Sequence, residues 1–219
     1  MAGVSKFTKK IYFVRHGESI GNVGALRGTI TDSLTEKGRE QAAFMAKRAQ
    51  KLPIEAIIAS TMTRAQETGQ IISESIGISL ESSSLFTEAL PASEIMGKAR
   101  DSEKNIQFIK MYFENFGKPG WRHSDEENFE DLKVRAGKAL KFLEEREEQN
   151  IMVVTHGFFM RVLIARAVFG ENLTARECQQ FTRTFHMENT GLSVLVYDEQ
   201  EDAPWPWWLW IWNDHAHLG

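Results

Sequence analysis

The chain carries one cysteine, Cys178, among its 219 residues, so no intrachain disulfide can form. That scarcity suits a reducing compartment, and a cytoplasmic location is the expectation. Long hydrophobic runs are missing too. Lys6, Lys9 and Lys10 precede only four apolar residues, 11–14. This is too short for a signal-peptide core and far too short to span a membrane, so no membrane association is expected. Without secretion the sequon Asn172-Leu173-Thr174 has no consequence. Nor is charge of one sign in excess: 26 Lys and Arg stand against 30 Asp and Glu, a net charge of -4. That balance argues against a general nucleic-acid or anionic-membrane surface and leaves any anion site to be local. There is no solenoid-type repeat and no low-complexity segment.

What is present is 42% hydrophobic residues, an ordinary share and enough for a real core. The length predicts a single domain over 1–219, with room for a sizeable insertion. Short apolar runs alternate with longer helical patterns, which predicts an α/β fold with a largely parallel sheet. Residues 11–14 read as the first strand, 56–59 as the second, 80–85 as a weaker third and 151–155 as the fourth. Residues 192–197 and 207–212 read as late strands. Helices are expected over 36–51 behind a Thr35 cap, after Ser60 or Thr61 as far as Gly77, over 103–115, over 127–147, and from 158 to Gly170. Trp208, Trp210 and Trp212 alternate, as one face of a strand does, and are expected to cover the core edge or a subunit interface.

Two of these strands end alike. "IYFVRHGES" and "IMVVTHGFF" each run from apolar residues into a histidine and a glycine, His16-Gly17 and His156-Gly157. In open parallel sheets ligands bind beyond the carboxyl ends of strands, so adjacent strands would bring both imidazoles into one crevice. Arg15 precedes His16, and Arg64 follows the second strand to the same end of the sheet. Two guanidiniums and two imidazoles converging there suit a tetrahedral oxyanion. Glu88, beyond the third strand, could supply the proton a leaving alkoxide needs, with Glu94 as its competitor six residues on. His215 and His217 would make only half of a metal site, and no metal or cofactor is expected.

These residues and their surroundings resemble the histidine phosphatase superfamily, the phosphoglycerate-mutase-like family. The markers are "VRHGES" with Asn22 six residues after the histidine, "DSLTEKGREQA", "STMTRAQET", "LFTEAL", "VVTHGFFMR" and "ENTGLSVL", in family order over nearly the whole chain. The resemblance implies a three-layer sandwich, a mostly parallel central sheet flanked by helices, with residues 89–125 as a helical specificity or lid insertion over the site. It implies that His16 is the nucleophile of a metal-independent phosphomonoester hydrolase, forming a phosphohistidine. Arg15, Arg64 and His156 would hold the phosphoryl oxygens, Asn22 would add a donor, and Glu88 would act as general acid and base.

Members of the family divide into phosphatases and mutases. Mutases typically have Arg-His-Tyr-Gly after the acidic glutamate and Asn after the second His-Gly. Here Ala89-Leu90-Pro91 and Phe158 stand in those places, which favours water as acceptor. Phosphoglycerate mutase-type transfer remains the alternative, and a non-catalytic phospho-ligand binder the second one. The expected partner is a small phosphorylated substrate, with a phosphoprotein and a homodimer left open.

Overall fold

The computed structural model describes residues 9–198 and 206–219; Lys6 of the basic run lies outside them. Six strands form one mixed sheet: β1 (Lys9–Arg15), β2 (Ala56–Ser60), β3 (Leu80–Ser83), β4 (Asn150–Thr155), β5 (Leu192–Tyr197) and β6 (Trp207–Asp214). Their order is β3-β2-β4-β1-β5-β6. The β3, β2, β4 and β1 pairings are parallel, while β5 pairs antiparallel with both β1 and β6.

The apolar run of β1 is continuous because helices cover both faces of the sheet. Ile11 and Phe13 face a core shared with α5 (Phe129–Glu144), α6 (Gly157–Phe169) and α7 (Ala175–Thr184). Tyr12 and Val14 face the opposite core, closed by α2 (Glu36–Ala49) and α3 (Thr63–Ile76). The result is the three-layer α/β sandwich expected. Period explains the flanking helices: α2 buries Ala42, Met45, Ala46 and Ala49, a stripe at helical spacing. Helix α6 lies between the sheet, α5 and α7 and is apolar nearly all round, burying Phe159, Met160 and residues 162–165.

Four details depart from sequence expectation. Strand β3 stops at Ser83, whose side chain accepts from Leu85 N and turns the chain into a 3-10 segment, Ser84–Phe86. The N-cap of α3 is Met62, with no side-chain cap, because Ser60 Oγ is spent on Met62 N and on His156. Helix α7 lies outside the helices the sequence predicts, although Thr174 and Glu177 form a reciprocal capping box at its start. Trp208 and Trp210 do share an exposed face of β6, but a register irregularity opposite Val194 returns Trp212 to the other side, against Phe181 and Phe185.

Between β3 and α5 lie a short 3-10 turn (Ser93–Ile95) and α4 (Glu103–Asn115), which pack through Ala92, Ile95 and Phe108. A one-turn helix, α1 (Ile20–Val23), follows β1 and buries no residue. Among the described residues no helix is long and apolar enough to cross a membrane.

Candidate active site

The register of β1 against β4 builds the site. Arg15 pairs with Thr155, so the next residues, His16 and His156, leave the sheet side by side. Their ring centroids are 5.0 Å apart. His16 N donates to Thr155 O at 2.9 Å, which continues the ladder one residue past the strand. Gly17 has no room for a side chain, because a Cβ there would lie 2.3 Å from the carbonyl oxygen of Gly38 in α2.

Hydrogen bonding assigns the His16 tautomer. Nδ1 lies 2.7 Å from Gly17 O, which can only accept, and Nε2 lies 3.1 Å from Arg64 Nε, which can only donate. The proton therefore sits on Nδ1 and the lone pair on Nε2. Burial first, then the charges of Arg64 and Arg15, hold the His16 pKa well below its ordinary 6.5. Burial acts likewise on His156, with His16 and the same two arginines adding to it. Both imidazoles are neutral at neutral pH.

Guanidiniums surround the pair. Arg15 donates from Nη1 to Met187 O at 2.6 Å, and Arg64 from Nη1 to Thr29 O at 2.8 Å. Arg161, on α6, donates from Nε to Gly157 O at 2.9 Å. Arg27 and Arg100 also reach the same cleft of about 370 Å³. Burial lowers the pKa of Arg15, Arg64, Arg161 and Arg27, yet among the described residues none of these five arginines has a carboxylate within ion-pair distance. A cleft lined by five arginines against two carboxylates, Asp32 and Glu88, carries a local excess of positive charge that favours an anion in an otherwise acidic chain.

Glu88 lies on the cleft wall, and its carboxylate accepts from Ala89 N (2.9 Å), Phe159 N (2.8 Å) and Phe158 N (3.1 Å). The last two are free N–H groups in the first turn of α6, a position that favours an anion. Arg135 of α5 pins the segment entering Glu88 by donating to Thr87 O at 2.8 Å and Leu85 O at 3.2 Å, while pairing with Glu127. Glu94 is elsewhere, on the surface with Lys104 and His123. Arg64 has no pairing with Glu67, which takes Arg39 instead.

The structure thus brings Arg15, His16, Asn22, Arg64 and Glu88 to one cleft. His156 is fully buried behind His16 and does not line the open cleft. Its Nε2 is 2.7 Å from Ser60 Oγ, and its Nδ1 has no partner. Asn22 Oδ1 accepts from Ser19 N and from Asn189 Nδ2, and Asn189 also donates to His16 O at 2.9 Å. The sequence assigns no part in the site to Ser60, Arg135, Arg161 or Asn189. Ser60, Arg161 and Asn189 do fall inside the motifs quoted above, whereas Arg135 sits on a helix face with nothing to mark it. Among the described residues no group of three or more His, Cys, Asp or Glu side chains could hold a metal ion.

The sequence pattern of the histidine phosphatase superfamily (branch 1) matches residues 11–208. The probable phosphoglycerate mutase GpmB of Enterobacter sp. (strain 638) is 28% identical over 201 residues, spanning 90% of this chain and 87% of that protein. YhfR of Bacillus stearothermophilus superposes with a TM-score of 0.78 at 25% identity, over 96% of this chain and 100% of that one. A mycobacterial glucosyl-3-phosphoglycerate phosphatase superposes with a TM-score of 0.74 at 20% identity, over 94% and 99%, a likeness of fold.

Proposed function

The chain belongs to the histidine phosphatase superfamily, and from that membership we propose that it hydrolyses phosphomonoesters through a phosphohistidine on His16. One observation carries the reading. Among the described residues, the only buried side-chain polar atoms lacking a partner are Arg15 Nε, Ser19 Oγ and His156 Nδ1, all close to His16 in the fold. Unpaired buried polar atoms cost free energy. Arg15 and Ser19 also line the cleft, where a phosphoryl group brings several acceptor oxygens beside them, while His156 lies behind His16.

In the first step the Nε2 lone pair of His16 attacks phosphorus in line, and the bond from phosphorus to the ester oxygen breaks. Glu88 acts as the general acid, passing a proton to the departing oxygen. Positive charge developing on the ring is stabilised by Gly17 O, which accepts from Nδ1–H. Arg15 and Arg64 hold the equatorial oxygens, with Asn22 at the rim and His156 buried behind His16, and no metal is needed for that charge. In the second step water attacks phosphorus, Glu88 takes a proton from it, the bond from phosphorus to Nε2 breaks to return the lone pair to His16, and inorganic phosphate leaves.

Transfer to a phosphoglycerate, as the name of the GpmB relative suggests, is the second reading. Leu90, Pro91 and Phe158 support water instead, since they line the cleft with apolar groups where mutases of the family have polar ones. Incubation with 3-phosphoglycerate and catalytic 2,3-bisphosphoglycerate separates the two. Hydrolysis predicts phosphate release; rapid formation of 2-phosphoglycerate without it would refute the proposal. A His16→Ala variant that still turns over p-nitrophenyl phosphate would refute the nucleophile.

A further inference from the structure

A second cavity, of about 390 Å³, opens beside the anion cleft and shares Glu88, Ala89, Leu90, Pro91, Phe158 and Arg27 with it. Its remaining walls come from α4: Phe108, Ile109, Tyr112 and Phe113. If Glu88 protonates the leaving oxygen, that oxygen lies beside Glu88, and the carbon skeleton behind it must continue into space that adjoins Glu88. The annex is such a space on the far side from the arginines Arg15 and Arg64, neither of which lines it.

The chemistry of the annex walls is apolar. The Tyr112 hydroxyl is used on Glu127 O, at 3.0 Å, and Leu90 N on the Glu127 carboxylate, at 3.1 Å. Phe113 O accepts from Gln179. Arg27 is the one cation on the wall, and its Nε is taken by Asn105 Oδ1 at 2.8 Å. The rings support one another: Tyr112 meets Phe113 edge-on at 5.4 Å, and Phe113 meets Phe158 edge-on at 6.5 Å. A polyhydroxylated leaving group would find few partners there, whereas an aromatic one would complete the ring cluster.

We propose that the phosphomonoester taken by this site has an aryl-bearing, apolar leaving alcohol, and that the annex between α4 and the first turn of α6 holds it. The proposal rests on the phosphatase reading above. The bond broken is that between phosphorus and the oxygen of this alcohol, and water supplies the proton and hydroxyl of the products.

The test compares two alkyl esters of similar intrinsic reactivity, 2-phenylethyl phosphate and glycerol 3-phosphate, in the parent protein and in Phe113→Ser and Ile109→Asn variants. The expected result is a kcat/KM at least tenfold higher for the phenylethyl ester, roughly what filling an apolar pocket supplies. Each variant should lose most of that preference, its loss on the phenylethyl ester exceeding any change on glycerol 3-phosphate at least tenfold. Equal turnover of the two esters, or equal losses on both in the variants, would overturn the annex assignment and leave the phosphatase reading standing. Binding of 3-phenylpropylphosphonate against propylphosphonate gives an arm independent of catalysis. A tenfold preference there, lost in the variants, with neither ester hydrolysed, would refute hydrolysis and retain the annex as the ligand's apolar subsite. No preference there would refute the annex.

Discussion

Arg64 Nε donates to His16 Nε2 across 3.1 Å, so the lone pair assigned to nucleophilic attack is occupied by a guanidinium until a phosphoryl group arrives. The contact does two things. It helps keep His16 unprotonated, since a neighbouring cation disfavours imidazolium, and it places Arg64 where an incoming phosphoryl oxygen must sit.

Replacing Arg64 should separate these effects. Arg64→Gln removes the charge, so the His16 pKa should rise toward 6.5 and the acid limb of the kcat/KM profile should move up in pH. Arg64→Lys keeps a charge but loses the planar fork, and should move that limb less. Both should lower kcat/KM by about 10²–10³, as expected for a lost transition-state donor. A limb that stays in place in the Gln variant would refute the role of Arg64 in tuning His16.

The depressed pKa values of His16 and His156 also couple stability to pH. The unfolded chain takes up protons on these rings as pH falls through about 6.5, while the folded chain keeps them neutral. Their contribution is therefore complete above about pH 6.5 and declines below it, until each folded-state pKa is reached. The slope is at most about 1.4 kcal/mol per pH unit for each ring. Urea denaturation at pH 7.5 and 5.5 should show a smaller loss in a His16→Asn, His156→Asn double variant than in the parent.

Glu88→Gln should discriminate by leaving group. An alkyl phosphate needs its departing oxygen protonated, so its hydrolysis should fall by about 10²–10⁴. p-Nitrophenolate leaves without that help, so its first turnover should survive. Dephosphorylation then lacks a base, and stopped-flow should record a burst of nitrophenolate followed by slow release. Equal loss on both substrates, without a burst, would count against Glu88 as the acid.

Gly38→Ala should destabilise the fold, against helix propensity. In an exposed helix interior that exchange stabilises by about 1 kcal/mol. Here an added Cβ would lie 1.9 Å from Glu18 O, in the turn that carries His16, and backbone cannot yield cheaply. Overpacking of this kind costs about 1–3 kcal/mol, measurable as a lower urea midpoint. The same push on Glu18 should lower kcat.

Much of this fold was legible because local pattern and tertiary burial agree. The runs in β1 and β4 are apolar at every position, which only a strand covered on both faces needs. Thr35 caps α2 as its sequence implies. Legibility failed where a side chain's partner is remote in sequence. Ser60 looks like a helix cap, yet the N-cap is Met62, because Ser60 also serves His156, 96 residues away. Arg135 looks like a surface cation on α5, yet it turns in over the ring of Phe159, at 3.7 Å, and holds the segment before Glu88. Helix α7 has a local capping box at Thr174 and Glu177, but it buries only Cys178, Phe181 and Thr182, so its apolar pattern is short and marks no helix by itself.

The sequence by itself determined the layers and the residue types at the ends of two strands, because periodicity and burial act over a few residues. It also separated an overall acidic chain from a local demand for arginine. Only the tertiary structure decided that β1 and β4 are neighbours in a register that sets Arg15 against Thr155, and hence His16 beside His156. It likewise put Glu88 on the cleft wall and Glu94 away from it beside Lys104, and set Asn189 on the carbonyl of His16. Hydrogen-bond geometry acts across a few ångströms of space whatever the distance along the chain, so no local reading could supply it.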